Sequence, residues 1–401
     1  MKTGRSPLEV ADLVRFAGQK FIDSNRHWLN RLHLKVLTAI ERCRTAALGG
    51  HIDACSTCGH HAISFNSCRN RHCPRCQANA RDRWIEARSR DLLAVPYAHV
   101  VFTLPHELAP LALQNKKVVY DLLFKISAAT LMEVAANPEF LGADIGFFSV
   151  LHSWNQKLEH HPHIHCVAPA GGLAPDHRRW IPSHPKFLLP VAALKEVFRA
   201  KFTDALKEAF RNGRLGFHGN LKPLGRPKVF AELIRQTYRK EWVVYCKRPF
   251  GGAEHVLRYL GGYTHRIAIS NHRLVSLEQG KVTFRWRDSA HKNKKRQMSL
   301  TVDEFLRRFL LHVLPRGFVR IRHFGFLSTR NRTVLLPLCR QLIEAEPPPQ
   351  GRPDARRQPA ATWDGLWQCP QCGGPMLVLE RLTAIELRLR SPPVHQHMSI
   401  A

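Results

Sequence analysis

Acidic residues are scarce in this chain. Its 401 residues hold 31 Asp and Glu against 61 Lys and Arg, a formal charge of +30. The isoelectric point is near 10.4. An excess of this size points to a polyanionic partner, and to nucleic acid before a membrane. Long apolar runs are also missing. The most apolar region, 92–111, is interrupted by Pro96, His99, Pro105 and His106, so no segment reads as a membrane span and no membrane partner is expected. The first residues, MKTGRSPLEVAD, lack an apolar signal region, and no solenoid-type repeat is found. The cysteines number eleven, so they cannot all pair as intramolecular disulfides. Several form CxxC pairs. Without a secretory signal, these read as metal ligands in a reducing compartment, which predicts a cytoplasmic protein.

What is present is concentrated in a few stretches. Residues 8–46 carry apolar side chains at mixed spacings of three and four, a helical pattern closed by Gly49-Gly50. Next come Cys55-Ser-Thr-Cys58-Gly and Cys68-Arg-Asn-Arg-His-Cys73-Pro-Arg-Cys76. Two CxxC knuckles, each supplying two thiolates, would close a tetrahedral structural zinc site, so Cys55, Cys58, Cys73 and Cys76 are the expected ligands. Cys68, His60 and His72 are reserve candidates. Arg69, Arg71 and Arg75 crowd the second knuckle and are assigned to phosphate contact, against the plainer reading of a solvated face.

The run His160-His-Pro-His-Ile-His-Cys-Val-Ala-Pro reads as a strand opened at Pro162. Alternation sends His163 and His165 to one face and Ile164 to the other. Two neutral imidazoles form most of an open metal site. Residues 145–154 read as a second strand, paired antiparallel to the first, which makes His152 the candidate third ligand. Gln156, Glu159 and His161 compete with it. Further on, Tyr259-Leu-Gly-Gly-Tyr263 places two tyrosines four apart, on one face of a helix if the helix is continuous. The plain alternative is two core aromatics, but adjacent glycines are poor helix formers and suit a close backbone approach better.

After these tyrosines the sequence becomes a basic β-ribbon, with Val282, Phe284 and Trp286 alternating with polar residues. The charge run 291–296 reads as a flexible loop whose Lys292, Lys294, Lys295 and Arg296 would hold a DNA strand. Thr301-Val-Asp-Glu304 is a capping box opening a helix. Residues 316–332 are again basic, and Phe318, Phe324 and Phe326 read as base-stacking candidates. A proline-rich linker precedes a third pair, Cys369-Pro-Gln-Cys372, for which Cys339, His395 and His397 are possible completions.

Together these stretches resemble the insertion-sequence-91 family, the two-tyrosine HUH transposases of rolling-circle elements. The resemblance rests on CRTAALGG at 43–50, SCRNRHCPRCQ at 67–77, HVVFTLPH at 99–106 and HPHIHCVAPAGG at 161–172. It continues in WVVYCKRPFGG at 242–252 and YLGGYTHRIAISN at 259–271. It implies an α+β fold: an HUH endonuclease core, an antiparallel sheet with flanking helices, preceded by a helical, zinc-binding N-terminal module. It also implies a single-stranded DNA substrate at element ends. Tyr259 and Tyr263 would be nucleophiles forming a 5′-phosphotyrosine, with Mg²⁺ or Mn²⁺ on His163, His165 and His152. The expected domains are 1–92 (helical and zinc-binding), 93–342 (catalytic), 343–366 (linker) and 367–401 (a separate CxxC tail). A plasmid replication initiator or relaxase would share this chemistry. A non-catalytic zinc protein that binds nucleic acid is the alternative from another class. Carboxylate-triad chemistry ranks last, since no acidic triad stands out by spacing.

Overall fold

The computed structural model describes residues 8–250, 261, 267–288, 291, 293–345 and 367–390. Tyr259, Tyr263 and Lys292 lie outside the described residues. In chain order, helices α1 (Val10–Ser24) and α2 (Arg31–Arg42) lead to strands β1 (Gly50–Cys55) and β2 (His61–Phe65) and helix α3 (Pro74–Ser89). Then come β3 (Tyr97–Thr103), α4 (Ala109–Gln114), α5 (Lys116–Ala136), β4 (Phe147–Trp154), β5 (His160–Pro169), β6 (Gly171–Leu173) and β7 (Trp180–Pro182). The chain continues through α6 (Val191–Arg211), α7 (Pro227–Arg239), β8 (Val244–Phe250), β9 (Leu274–Glu278), β10 (Lys281–Asp288) and β11 (Lys294–Thr301). It closes with α8 (Val302–Leu311), β12 (Ile321–Phe324), α9 (Arg332–Ala345), β13 (Met376–Leu382) and α10 (Ala384–Arg390). No helix among the described residues is long and apolar enough to cross a membrane.

The chain divides into two compact units, one of residues 1–77 with 348–401 and one of residues 78–347. The tail drawn from sequence as a separate segment belongs to the first unit. Its strand β13 pairs antiparallel with β1, giving a sheet of order β13-β1-β2. Sequence spacing carries no sign of this, because the partners are more than three hundred residues apart. In the same unit α1 buries Val10, Leu13, Val14 and Phe21, and α2 buries Val36, Leu37 and Ile40, the helical periodicity expected of two packed faces. Asn30 caps α2, its Oδ1 accepting from the N–H groups of Leu32 (2.9 Å) and His33 (3.1 Å), an interaction worth about 1 kcal/mol.

In the second unit, β12, β4, β5, β3 and β8 form an antiparallel sheet in that order. All of β4 and most of β5 are buried, so both faces of the sheet are covered over most of their length. On the Ile164 face, Phe102 packs against Phe198 of α6 (centroids 4.8 Å apart), and Phe198 and Phe202 surround Trp242. On the other face Tyr97, Phe148, Val150 and Val167 form an apolar cluster under Trp84, Leu92, Val95 and Ile321. A second sheet, β11-β10-β9, buries Val282 and Phe284, with Phe305 of α8 packed on Phe284. The capping box is present in part: Thr301 Oγ1 accepts from the Glu304 N–H.

The expected base-stacking phenylalanines are core residues instead. Phe318 and Phe326 are buried, and Phe324 stacks on Phe147 at 5.2 Å. Gly146 makes room for the Phe326 ring, since a Cβ there would lie 2.4 Å from it. The basic residues around them mark a surface, but the aromatics answer to packing.

Candidate functional site

The site is built at the end of the sheet face that the apolar cluster leaves uncovered. β4 and β5 pair so that His152 stands opposite His163, and Val150 opposite His165. Cross-strand pairing and the two-residue alternation therefore bring three imidazoles together. One ring nitrogen from each of His152, His163 and His165 lies within 4.8 Å of the others. Burial holds His163 down to about 4, with His161 beside it adding to the effect. Burial likewise holds His165 well below the ordinary imidazole range, with His152, His163 and His99 contributing. Both are neutral at physiological pH, as metal ligands must be.

Backbone and neighbours fix which nitrogen each ring presents. His163 donates from Nδ1 to its own strand at the His161 carbonyl, 2.7 Å away, so Nε2 carries the lone pair. His165 Nδ1 meets His99 Nε2 at 2.8 Å, the two rings lying parallel with centroids 5.0 Å apart. That leaves Nε2 of His165 as its ligating nitrogen. His99 comes from β3, is buried, and is held at about 3 by burial, with Lys247 and His163 adding to it. It is the orienting residue that sequence reasoning missed. Only its place in the run HVVFTLPH hinted at it. Three converging imidazoles, one of them oriented from behind, fit a divalent metal ion held with positions left open for substrate.

A cavity of about 590 Å³ opens over these histidines, with Lys157, Glu159, Trp286 and Asp288 in its wall. Its rim is the turn between β4 and β5, and that turn is held firmly. Asn155 Oδ1 accepts from the Lys157 and Glu159 N–H groups at 2.9 and 3.0 Å. Leu158 takes a positive φ of 63°, unusual for leucine, with its side chain fully buried as the anchor. Three successive carbonyls of the turn then receive side-chain donors. Arg273 donates to Gln156, Arg308 to Lys157 (3.0 Å) and His312 to Leu158 (3.1 Å). Lys157 lies over the Trp286 ring at 4.7 Å, placing a cation and an aromatic face together beside the imidazoles. Phosphate and base could be met there together.

The expected single zinc site does not form. Its four cysteines are divided between two clusters: Cys43, Cys68, Cys73 and Cys76, and Cys55, Cys58, Cys369 and Cys372. The turn that carries Cys55 and Cys58 joins β1 to β2 and faces the tail, where the Ser56 N–H donates to the Pro375 carbonyl at 3.1 Å. The second knuckle turns instead toward the end of α2. There Cys76 Sγ lies 3.5 Å from both Cys43 and Cys68. Tetrahedral zinc with bonds of about 2.3 Å separates its sulfurs by about 3.8 Å, whereas a disulfide needs about 2.05 Å, so this spacing suits a candidate thiolate metal site and not a disulfide. Cys68, held in reserve, and Cys43, which lacks a CxxC partner, complete it.

Arg75 is also reassigned. Its side chain is only 8% exposed, pairs with Glu9, and donates to the Cys43 carbonyl at 2.8 Å. It ties the knuckle to α1 and α2 and is not presented to a phosphate. Arg69 and Arg71 are exposed on the same knuckle. The expected basic loop is partly strand: Lys294, Lys295 and Arg296 open β11, facing Asp288, Arg287 and Trp286. Arg296 forms an ion pair with Asp288 at 2.9 Å, while Lys294 and Lys295 are exposed.

Within the tyrosine stretch, Gly261 is described. A Cβ there would lie 2.4 Å from Ile85 Cδ1 on α3, so the missing side chain permits a close approach. The adjacent Trp84 packs on Phe148, on the face of the sheet that carries the histidines.

Two family models match the chain, a "Transposase zinc-binding domain" over residues 13–104 and a "Putative transposase" over residues 146–333. Among curated proteins, "Putative transposase y4qJ" of Sinorhizobium fredii (strain NBRC 101917 / NGR234) is 49% identical over 382 residues, covering 94% of this chain and 96% of the relative. "Transposase for insertion sequence element IS801" of Pseudomonas savastanoi pv. phaseolicola is 27% identical over 326 residues, covering 80% and 76%. No solved structure shows a significant match.

Proposed function

Because the chain belongs to the insertion-sequence-91 family of transposases, we propose that it cleaves and rejoins single-stranded DNA at the ends of an insertion element through a 5′-phosphotyrosine intermediate. The observation that carries this reading is the convergence of His152, His163 and His165 on paired strands of an antiparallel sheet. Mg²⁺ or Mn²⁺ held by these residues would neutralise the phosphate oxygens and orient the phosphodiester; nitrogen ligands favour Mn²⁺ more than an all-oxygen site would.

The residues of the chain supply the rest. The phenolic oxygen of Tyr263 or Tyr259 forms a bond to phosphorus, and the bond from phosphorus to the 3′-oxygen breaks. The proton lost by the phenol is balanced by the one gained by the leaving 3′-hydroxyl. A free tyrosine, with pKa of about 10, is a weak nucleophile at neutral pH, so the reaction needs a positioned and charge-neutralised phosphate. The covalent bond conserves the phosphodiester energy, so rejoining needs no ATP. A second tyrosine four residues away could accept the next strand before the first is released. We favour Tyr263 for initiation because it adjoins the basic Thr264-His265-Arg266 segment. Lys157 and Trp286 suit a phosphate and a base beside the histidines. The Cys43, Cys68, Cys73 and Cys76 cluster would hold a structural zinc ion in the N-terminal module.

The test is covalent capture. The wild-type chain, incubated with a single strand from its element's end and Mn²⁺, should form an SDS-resistant adduct mapping to Tyr259 or Tyr263. Each single Phe variant should keep partial cleavage or lose one step. The double Phe variant should bind the strand and form none. An adduct on another residue, or an undiminished adduct in the double variant, would overturn the assignment in favour of core aromatics.

A further inference from the structure

Four of the seven cysteines outside the Cys43 cluster form a second constellation, of which the zinc-binding family model covers only Cys55 and Cys58, since that match ends at residue 104. We propose that Cys55, Cys58, Cys369 and Cys372 hold a second structural zinc ion, which joins the N-terminal hairpin to the C-terminal tail. The proposal stands apart from the tyrosine chemistry.

The two halves of this site are near-copies of each other. Cys55-Ser-Thr-Cys58-Gly59 and Cys369-Pro-Gln-Cys372-Gly373 share the pattern CxxCG. In each, the glycine takes a left-handed φ, 69° at Gly59 and 75° at Gly373. Each glycine N–H donates to the carbonyl of the first cysteine, at 3.0 and 2.9 Å. Each first cysteine also donates from its own N–H to a carbonyl five residues on, that of His60 at 2.8 Å and that of Gly374 at 2.7 Å. Backbone N–H groups point at the sulfurs as well: those of Thr57 and Cys58 at Cys55 Sγ and that of Gly374 at Cys372 Sγ, each at 3.4 Å. Such donors stabilise thiolates.

The two knuckles face each other across the β1–β13 pairing, in which Cys55 is opposite Met376. Cys55 Sγ lies 3.4 Å from Cys372 Sγ, and Cys58 Sγ lies 3.7 Å from Cys369 Sγ. These separations approach the edge of a zinc tetrathiolate, about 3.8 Å, and far exceed a disulfide's length of about 2.05 Å. A redox dithiol needs one CxxC pair; here four sulfurs converge, as a closed tetrahedral site requires. Because the ligands flank residues 78–347 in sequence, the metal would close that whole segment into a loop and fix the tail strand on its sheet.

The test is metal stoichiometry on the full chain by elemental analysis. Wild type should carry two zinc ions, and Cys369→Ser/Cys372→Ser should carry one, retained by the Cys43 cluster. One zinc ion in wild type, iron in place of zinc, or two zinc ions in the double variant would overturn the proposal. Should the double variant lose both ions through unfolding, Cys372→His decides. It should keep two metals, and its cobalt-substituted form should show weaker thiolate charge-transfer absorption with d–d bands at shorter wavelength. A spectrum identical to wild type would place Cys372 outside any metal site and refute the proposal.

Discussion

His99 offers the sharpest perturbation of the catalytic site, because it acts on the metal only through His165. With Nε2 of His165 given to a metal, its Nδ1–H must donate, and the acceptor 2.8 Å away is Nε2 of His99. Burial holds His99 at about 3, so its ring stays neutral and retains one nitrogen that can accept. His99→Phe keeps a ring stacked on His165 and removes the acceptor. Loss of such an outer partner lowers metal affinity by roughly 10–100-fold, equivalent to about 1.4–2.7 kcal/mol. The assay is adduct formation on single-stranded DNA as a function of Mn²⁺ concentration. The half-saturating concentration should rise by about 10–100-fold, with the rate at saturating Mn²⁺ largely restored. His99→Gln, whose amide oxygen can accept, should recover part of the shift. An unchanged Mn²⁺ requirement in a folded His99→Phe protein would refute the orienting role. So would a rate that no amount of metal restores, which would place His99 in the chemistry itself.

His163→Ala should reduce cleavage by more than about 100-fold, since losing a ligand exceeds losing its support. Strand affinity in filter binding should change little, because it rests on Lys and Arg; normal cleavage with ordinary metal would make this strand merely structural. A pH effect follows from His160 and His312, which burial lowers to about 3. Their folded values lie below the unfolded value of about 6.5, so the unfolded chain takes up protons first as pH falls. The stability they leave intact above about 6.5 is lost progressively toward 3. Between pH 7.5 and 5.5 the pair should account for about 2–3 kcal/mol. Urea unfolding should show His160→Gln/His312→Gln losing that much less than wild type over this interval, and equal losses would contradict the buried neutral state.

Much of the catalytic face was legible because strand periodicity is local. Alternation alone puts His163 and His165 on one side, and the short connection after Trp154 implies the antiparallel pairing that sets His152 opposite His163. CxxC knuckles are equally local: two residues between cysteines specify a thiolate turn wherever it occurs, with a glycine after the second cysteine at Gly59 and Gly373. The helical repeats of α1 and α2 needed only their own apolar spacing.

What the sequence determined by itself was therefore the chemistry of each stretch: thiolate knuckles, an imidazole strand, paired tyrosines, and an excess of positive charge. Which stretches meet was decided by the tertiary structure. Cys55 and Cys58 pair with a tail more than three hundred residues away because β13 completes the β1 sheet, leaving Cys73 and Cys76 to Cys43 and Cys68. Arg75 turns inward because the carboxylate of Glu9, at the start of α1, and the carbonyl of Cys43, at the end of α2, await it, and Phe318 and Phe326 fill a core instead of stacking on bases. His99 reaches His165 only through the β3–β5 register, which sets them diagonally on one face. The division has one physical cause. Spacing along a chain fixes the local geometry of a residue and its near neighbours, whereas contacts between distant segments depend on the sum of all the packing and pairing that the whole fold satisfies at once.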